Sequence, residues 1–123
     1  MKKRLNPSKE FETLYIVYEA KIYEPKVIEW SYFTDSSGNG DLVEVEYHDN
    51  KPFDKFSTAI LSFDGKTYVR IEQDRLYTTS IKKAIRVAFK TYKSMEERRG
   101  RKLAQSIPTY FGKYFDDFPE LFI

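Results

Sequence analysis

The chain reads as an α+β protein: an antiparallel β-meander of about five strands packed against one long basic amphipathic helix, closed by an aromatic C-terminal tail or short helix. Three observations predict it. Through Glu72, short stretches rich in β-branched and aromatic residues alternate with turn residues. At Thr78-Thr79-Ser80 the apolar period changes from two to about 3.6 residues. Beyond Pro108, large aromatic residues recur to the end of the chain.

The first strand is expected over Thr13 to Tyr23, with Leu14, Ile16, Tyr18, Ala20 and Ile22 on one face. Pro25 breaks it, and Val27 to Thr34 forms the second. Asp35 to Gly40 is a hairpin loop, leading into a third strand over Leu42 to Tyr47. There Val43, Val45 and Tyr47 alternate with Glu44 and Glu46, so the valines face the core and the glutamates face out. After a turn at Asn50 to Asp54, strands over Ser57 to Phe63 and Lys66 to Glu72 flank Asp64-Gly65, which reads as a two-residue type I′ hairpin. Ile81, Ala84, Ile85, Ala88, Phe89, Tyr92 and Met95 then define the apolar stripe of a helix. Thr79 or Ser80 is its N-cap and Gly100 its C′ residue. Phe111, Tyr114, Phe115, Phe118 and Phe122 form a second stripe, the aromatic tail.

The composition narrows the class. With 123 residues, 41% hydrophobic and 33% charged, the chain is a single folded domain, 1–123. It holds no cysteine, which removes disulfides and thiolate chemistry and suits a reducing compartment. Met1-Lys2-Lys3-Arg4 is basic but precedes no apolar run of signal-peptide length, so a cytoplasmic protein without a membrane partner is expected. Abundant Lys, Ile, Tyr and Phe with few Gly suit an AT-rich coding sequence, a viral or phage-like trait. Outer strands without evident protection suit an edge-to-edge homodimer.

A net charge of +2 conceals an uneven layout. From Ile81 to Lys102, nine basic residues face two acidic ones, a local sum of +7. From Glu10 to Leu76, fourteen acids face seven bases, a sum of −7. Lys82, Lys83, Arg86, Lys90 and Lys93 fall off the apolar stripe, and Arg98, Arg99, Arg101 and Lys102 continue the run. Cations at a helix C-terminus complement its dipole, but Lys82, Lys83 and Arg86 sit in the first turns, where the dipole disfavours them. That placement points to anion binding, with nucleic acid or a phosphate-bearing nucleotide as the partner. Tyr68 beside Arg70 offers a stacking pair for bases.

A different class of function is an inhibitor or adaptor that binds a host protein. Its contacts would be Trp30, the acidic strand face at Glu44 and Glu46, and the tail at Phe118 and Phe122. Within Ala104 to Phe111, the residues Ile107, Tyr110 and Phe111 resemble a sliding-clamp-binding box, which departs from its pattern at Ala104. Catalysis is not expected. His48 is the lone histidine, and there is no nucleophile elbow, phosphate-cradling glycine loop or metal-ligand spacing, so neither cofactor nor metal is foreseen.

Overall fold

Alternation decides which side of the sheet each strand buries. Val43, Val45 and Tyr47 are all buried, while Glu46 between them is exposed. The computed structural model describes the backbone at residues 3–5, 13–34, 41–49, 55–100 and 103–123, and side chains at 13–33, 41–48, 56–100 and 105–123. The loop at 35–40, the turn at 50–54, Arg101 and Lys102 lie outside the described residues.

Among the described residues, eight strands form one antiparallel sheet: β1 (Lys3–Leu5), β2 (Tyr15–Tyr18), β3 (Lys21–Tyr23), β4 (Lys26–Thr34), β5 (Asp41–Asp49), β6 (Lys55–Phe63), β7 (Tyr68–Glu72) and β8 (Arg75–Thr78). Their order is β1-β4-β5-β6-β7-β8-β2-β3. The helices are α1 (Ile81–Arg99), α2 (Leu103–Phe111) and α3 (Lys113–Asp117), followed by a 3-10 turn at Pro119–Phe122.

The meander of β4 to β7 is as expected, but the count of five is too low, and the residues of the expected first strand lie at the far edge of the sheet beside β8 rather than beside β4. The stretch from Thr13 to Tyr23 folds back on itself, with Tyr18 opposite Lys21, and Arg75–Thr78 returns against β7, with Glu72 opposite Arg75. Both turns place a non-glycine residue in the left-handed region, Glu19 at φ 56° and Gln73 at φ 54°. Neither carries the Asn-Gly or Asp-Gly signal of such turns. The Asp64-Gly65 hairpin is longer than two residues, since Phe63 pairs with Tyr68. Asp64 Oδ1 accepts from the amides of Lys66 at 3.0 Å and Thr67 at 2.9 Å and holds the loop as an Asx-type turn. In β4 the register shifts between Val27 and Glu29, so Ile28 is bulged out and 45% exposed. The edge strands β1 and β3 are each three residues long, which blunts the edge-to-edge pairing expected of unprotected strands.

The sheet curls. Tyr47 on β5 and Tyr77 on β8 bring their rings to 6.5 Å, and Tyr32 on β4 and Tyr68 on β7 to 5.7 Å. In a flat sheet three strand spacings would separate each pair by roughly 14 Å. The concave face therefore buries itself without a helix, around Leu14, Val43, Val45 and Leu61.

On the convex face, α1 covers the half of the sheet built from β8, β2 and β3. Ala84 and Ala88, one turn apart, are fully buried and let the helix approach Val17 and Leu76 closely. Ser80 is the N-cap, accepting from the Lys83 amide at 3.2 Å. Gly100 closes the helix at φ 71°. The C-terminal helices begin at Leu103, upstream of Pro108, and lie on α1 and β3. Tyr110 donates to the Ala20 carbonyl at 2.9 Å, while Lys113 at 2.8 Å and the Tyr114 hydroxyl both bond Glu24. Among the described residues no helix is long and apolar enough to cross a membrane.

Candidate anion-binding site

The first turn of α1 contains no acidic residue, although the dipole favours one there. It carries Lys82 and Lys83 instead, with Arg86 one turn on. Lys82 and Arg86 are exposed and Lys83 is half-buried. These side chains line one wall of a cleft of about 480 Å³, together with Ile81 and Phe118. The opposite wall is the loop before β7, which adds Asp64, Lys66 and Thr67.

Hydroxyl groups stitch the two walls together. The Thr67 and Thr79 hydroxyls share a hydrogen bond, and Thr79 Oγ1 accepts from the Tyr68 amide at 3.2 Å. The Thr79 amide donates to the Tyr68 carbonyl, also at 3.2 Å, and the Ser80 amide to Thr78 Oγ1 at 3.0 Å. The loop is thereby fixed to the residues that cap α1, and Lys66 is brought beside the helix N-terminus. Lys66 escapes a reading of the sequence because it lies outside the basic run. The cue was the loop itself, which must pass the start of α1 if β7 and β8 are paired.

Four cations thus face one carboxylate in the cleft. That carboxylate is engaged elsewhere. Hydrogen bonds from the Thr67 and Lys66 amides hold the Asp64 carboxyl below its ordinary range, so it stays ionised and turned to its own loop. Among the described residues, none of Lys66, Lys82 and Arg86 forms an ion pair. With these three side chains unpaired among the described residues, their charges add to a positive field at this point.

From the cleft the cations continue along α1. Lys82, Arg86 and Lys90 follow at four-residue steps, about 6 Å of helix rise each, with Lys93 beside them, and all four are exposed. Arg98 and Arg99 are exposed at the far end, where Arg99 Nη1 lies 3.7 Å from Glu96 Oε1. Glu96 itself is only 3% exposed, so the buried stripe runs one residue past Met95 and takes in a carboxylate that the pattern of apolar residues did not mark. Arg101 and Lys102 lie outside the described residues.

The other candidate residues fare differently. Tyr68 is 5% exposed on the concave face, edge-on to Tyr32, and offers no ring to a base. Its expected neighbour Arg70 is exposed and pairs with Glu72 at 3.2 Å. The stacking pair is therefore corrected: Tyr68 lies on the face of β7 that forms the concave core, so its ring is buried. Trp30 is half-buried, stacked on Tyr32 at a ring distance of 6.4 Å, and packs on the concave core. Phe122 is core too, with its ring 4.8 Å from Phe111 and 5.1 Å from Phe89. Phe118 is half-buried and lines the cleft. Glu44 and Glu46 do point outward, on the convex face of β5. In the segment resembling a clamp-binding box, Ile107 and Phe111 are each 5% exposed inside the fold, and Tyr110 is bonded to Ala20, so none of the three is free to dock.

His48 is half-buried with its ring 4.8 Å from that of Phe56. Among the described residues no group of three or more histidines and carboxylates is placed to hold a metal ion. Comparison with protein-family models, curated proteins and solved structures finds no match to this chain. The cleft is therefore read from its own chemistry.

Proposed function

We propose that the chain is a non-enzymatic binding protein that holds a phosphate-bearing polyanion, with one phosphate in the cleft at the start of α1 and others along the helix. The observation that carries this reading is the convergence of Lys66, Lys82, Lys83 and Arg86 on one cleft at a helix N-terminus, against the single carboxylate of Asp64. Amides of the first turn donate to an anion there, and Lys90 and Lys93 extend the contact to a polymer backbone. Nothing in this arrangement reads bases, so the expected binding is independent of sequence.

Fluorescence anisotropy with labelled single-stranded DNA, single-stranded RNA and duplex DNA at about 50 and 200 mM salt tests it, the range over which binders with many phosphate contacts lose orders of magnitude in affinity. Micromolar affinity at the lower salt, falling steeply at the higher, is expected. The triple variant Lys82→Glu, Lys83→Glu, Arg86→Glu should lose binding by at least about a hundredfold, while Lys21→Glu, on β3, should not. Binding that is insensitive to salt, or unchanged in the triple variant, overturns the proposal.

A further inference from the structure

Strands β6 and β7 part almost as soon as they meet. Ser62 pairs with Val69 and Phe63 with Tyr68, and among the described residues the ladder ends there. Yet β6 reaches back to Lys55 and pairs with β5 throughout, from Ser62 opposite Leu42 to Lys55 opposite Asp49. From Lys55 to Leu61 it therefore has a strand on one side and, among the described residues, none on the other. The curl of the sheet opens this gap. It carries β7 and β8 toward the concave core, where Tyr77 meets Tyr47, and leaves the place beside β6 in its own plane.

Alternation decides which backbone groups face the opening. The Asp64 amide donates to the Thr67 carbonyl, so Ser62, two residues back, is the next to turn its N–H and C=O toward β7. By the same period Phe56, Thr58 and Ile60 turn theirs to the open side, whereas Ser57, Ala59 and Leu61 turn to β5. Among the described residues no backbone group bonds those of Phe56, Thr58 and Ile60. The side chains around the opening are large and wet. Phe56 is 70% exposed, Ile60 43%, and Ile71, which an unbroken ladder would set opposite Ile60, 76%. From Phe56 to Phe63 there is neither a charge nor a proline, the residues with which natural sheets protect an open edge.

We propose that the open edge of β6 is the interface of a two-fold dimer, in which β6 of a second copy pairs antiparallel with it about Thr58. Self-complementarity identifies the occupant. With Thr58 opposite its own counterpart, Phe56 lies opposite the second copy's Ile60 and Ile60 opposite its Phe56. All three residues that face the opening then form hydrogen-bonded pairs, about six bonds across the dyad, and apolar side chains meet apolar ones. Lys55 falls opposite Leu61, so the pairing fills the opening and stops where Val69 takes the edge. A shift by one step would set Phe56 opposite Ser62, which Val69 already holds, or Ile60 opposite a residue ahead of β6. Two copies joined this way occupy each other's edge, so the contact closes as a dimer instead of growing into a fibre.

The interface is distinct from the cleft, and its test can fail separately. Sedimentation equilibrium of the whole chain from about 5 to about 500 µM should show monomer and dimer exchanging with a Kd on the order of tens of micromolar. Hydrogen exchange should find the amides of Phe56, Thr58 and Ile60 protected only at the high concentration, and those of Ser57 and Ala59, turned to β5, at both. Thr58→Pro removes a donor that faces the opening, where a strand tolerates proline, and should abolish the dimer with an unchanged circular dichroism spectrum. Phe56→Lys with Ile60→Lys sets like charges opposite each other and should weaken dimerisation at least about tenfold. Phe56→Lys with Ile60→Glu should restore it, since each lysine then faces a glutamate, and this pair of variants decides alone if Thr58→Pro fails to fold. Lys82→Glu with Arg86→Glu should dimerise as the unmodified chain does, even where it loses nucleic acid. A monomer at about 500 µM, a dimer untouched by Phe56→Lys with Ile60→Lys, or no recovery with Ile60→Glu overturns the proposal. So does protection of the three amides at the low concentration, as another segment of this chain would then hold the edge.

Discussion

At the scale of single residues, the concave core holds a buried tyrosine hydroxyl. Tyr32 is 2% exposed, and its hydroxyl has no hydrogen-bond partner among the described residues. Burial, with the nearby Tyr68, pushes its pKa up to about 12. An unsatisfied buried hydroxyl costs about 1–3 kcal/mol, so Tyr32→Phe should stabilise the protein by about 1 kcal/mol, read as a raised denaturation midpoint at unchanged m-value. A fall in stability would mean that the hydroxyl has a partner. Glu24 is the opposite case. Burial opposes its ionisation, but the hydrogen bonds from Lys113 and Tyr114 prevail and hold the carboxyl below its ordinary value. A carboxyl depressed in the fold contributes stability above its unfolded pKa of about 4.3, and that contribution fades as pH falls through the folded value. Denaturation midpoints should therefore drop more steeply for the unmodified chain than for Glu24→Gln between about pH 5 and pH 3, and converge at the acid end. Parallel curves would remove Glu24 from the account.

At the scale of elements, what sequence reasoning could and could not see follows from how each element is specified. Helix α1 was legible to its caps, because a seven-position apolar stripe, Ser80 and Gly100 each specify it independently. The three valine and tyrosine positions of β5 were legible for the same reason. The turns at Glu19 and Gln73 were not, because their left-handed residues pay a steric cost that glycine would avoid, and the alternation of apolar residues runs on through the first of them. Pairing across the β7–β8 turn, and of β8 with β2, overrides the local preference. Gln73→Gly should then raise stability by up to about 1 kcal/mol, the strain relieved less the added freedom of the unfolded chain. Thermal unfolding would show it, and a lower transition would place the strain elsewhere. The cleft was half legible: Lys82, Lys83 and Arg86 stand out in the basic run, whereas Lys66 and Phe118 reach it only through tertiary structure.

At the scale of the whole molecule, the aromatic C-terminus belongs to the body of the fold. Phe122 closes a ring cluster with Phe89, Phe111 and Phe115. Truncation after Asp117 removes Phe118 and Phe122 together, and by the usual cost of about 3–5 kcal/mol for losing one buried aromatic side chain it should abolish or nearly abolish cooperative unfolding. A truncated chain with an unchanged transition would show the terminus to be an appendage. The strand order carries a consequence of a different kind, for the sequence of events in time. Residues Tyr15 to Tyr18 can pair with β8 only once Arg75 to Thr78 exist, so a chain emerging from the ribosome makes the hairpin of β2 and β3 long before its neighbour. Leu14, Ile16 and Val17 must wait through that interval without their sheet partner or the helix that covers it. Such late, distant pairing slows assembly and leaves an apolar hairpin open to other chains. The most vulnerable moment of this protein falls before α1 has been made.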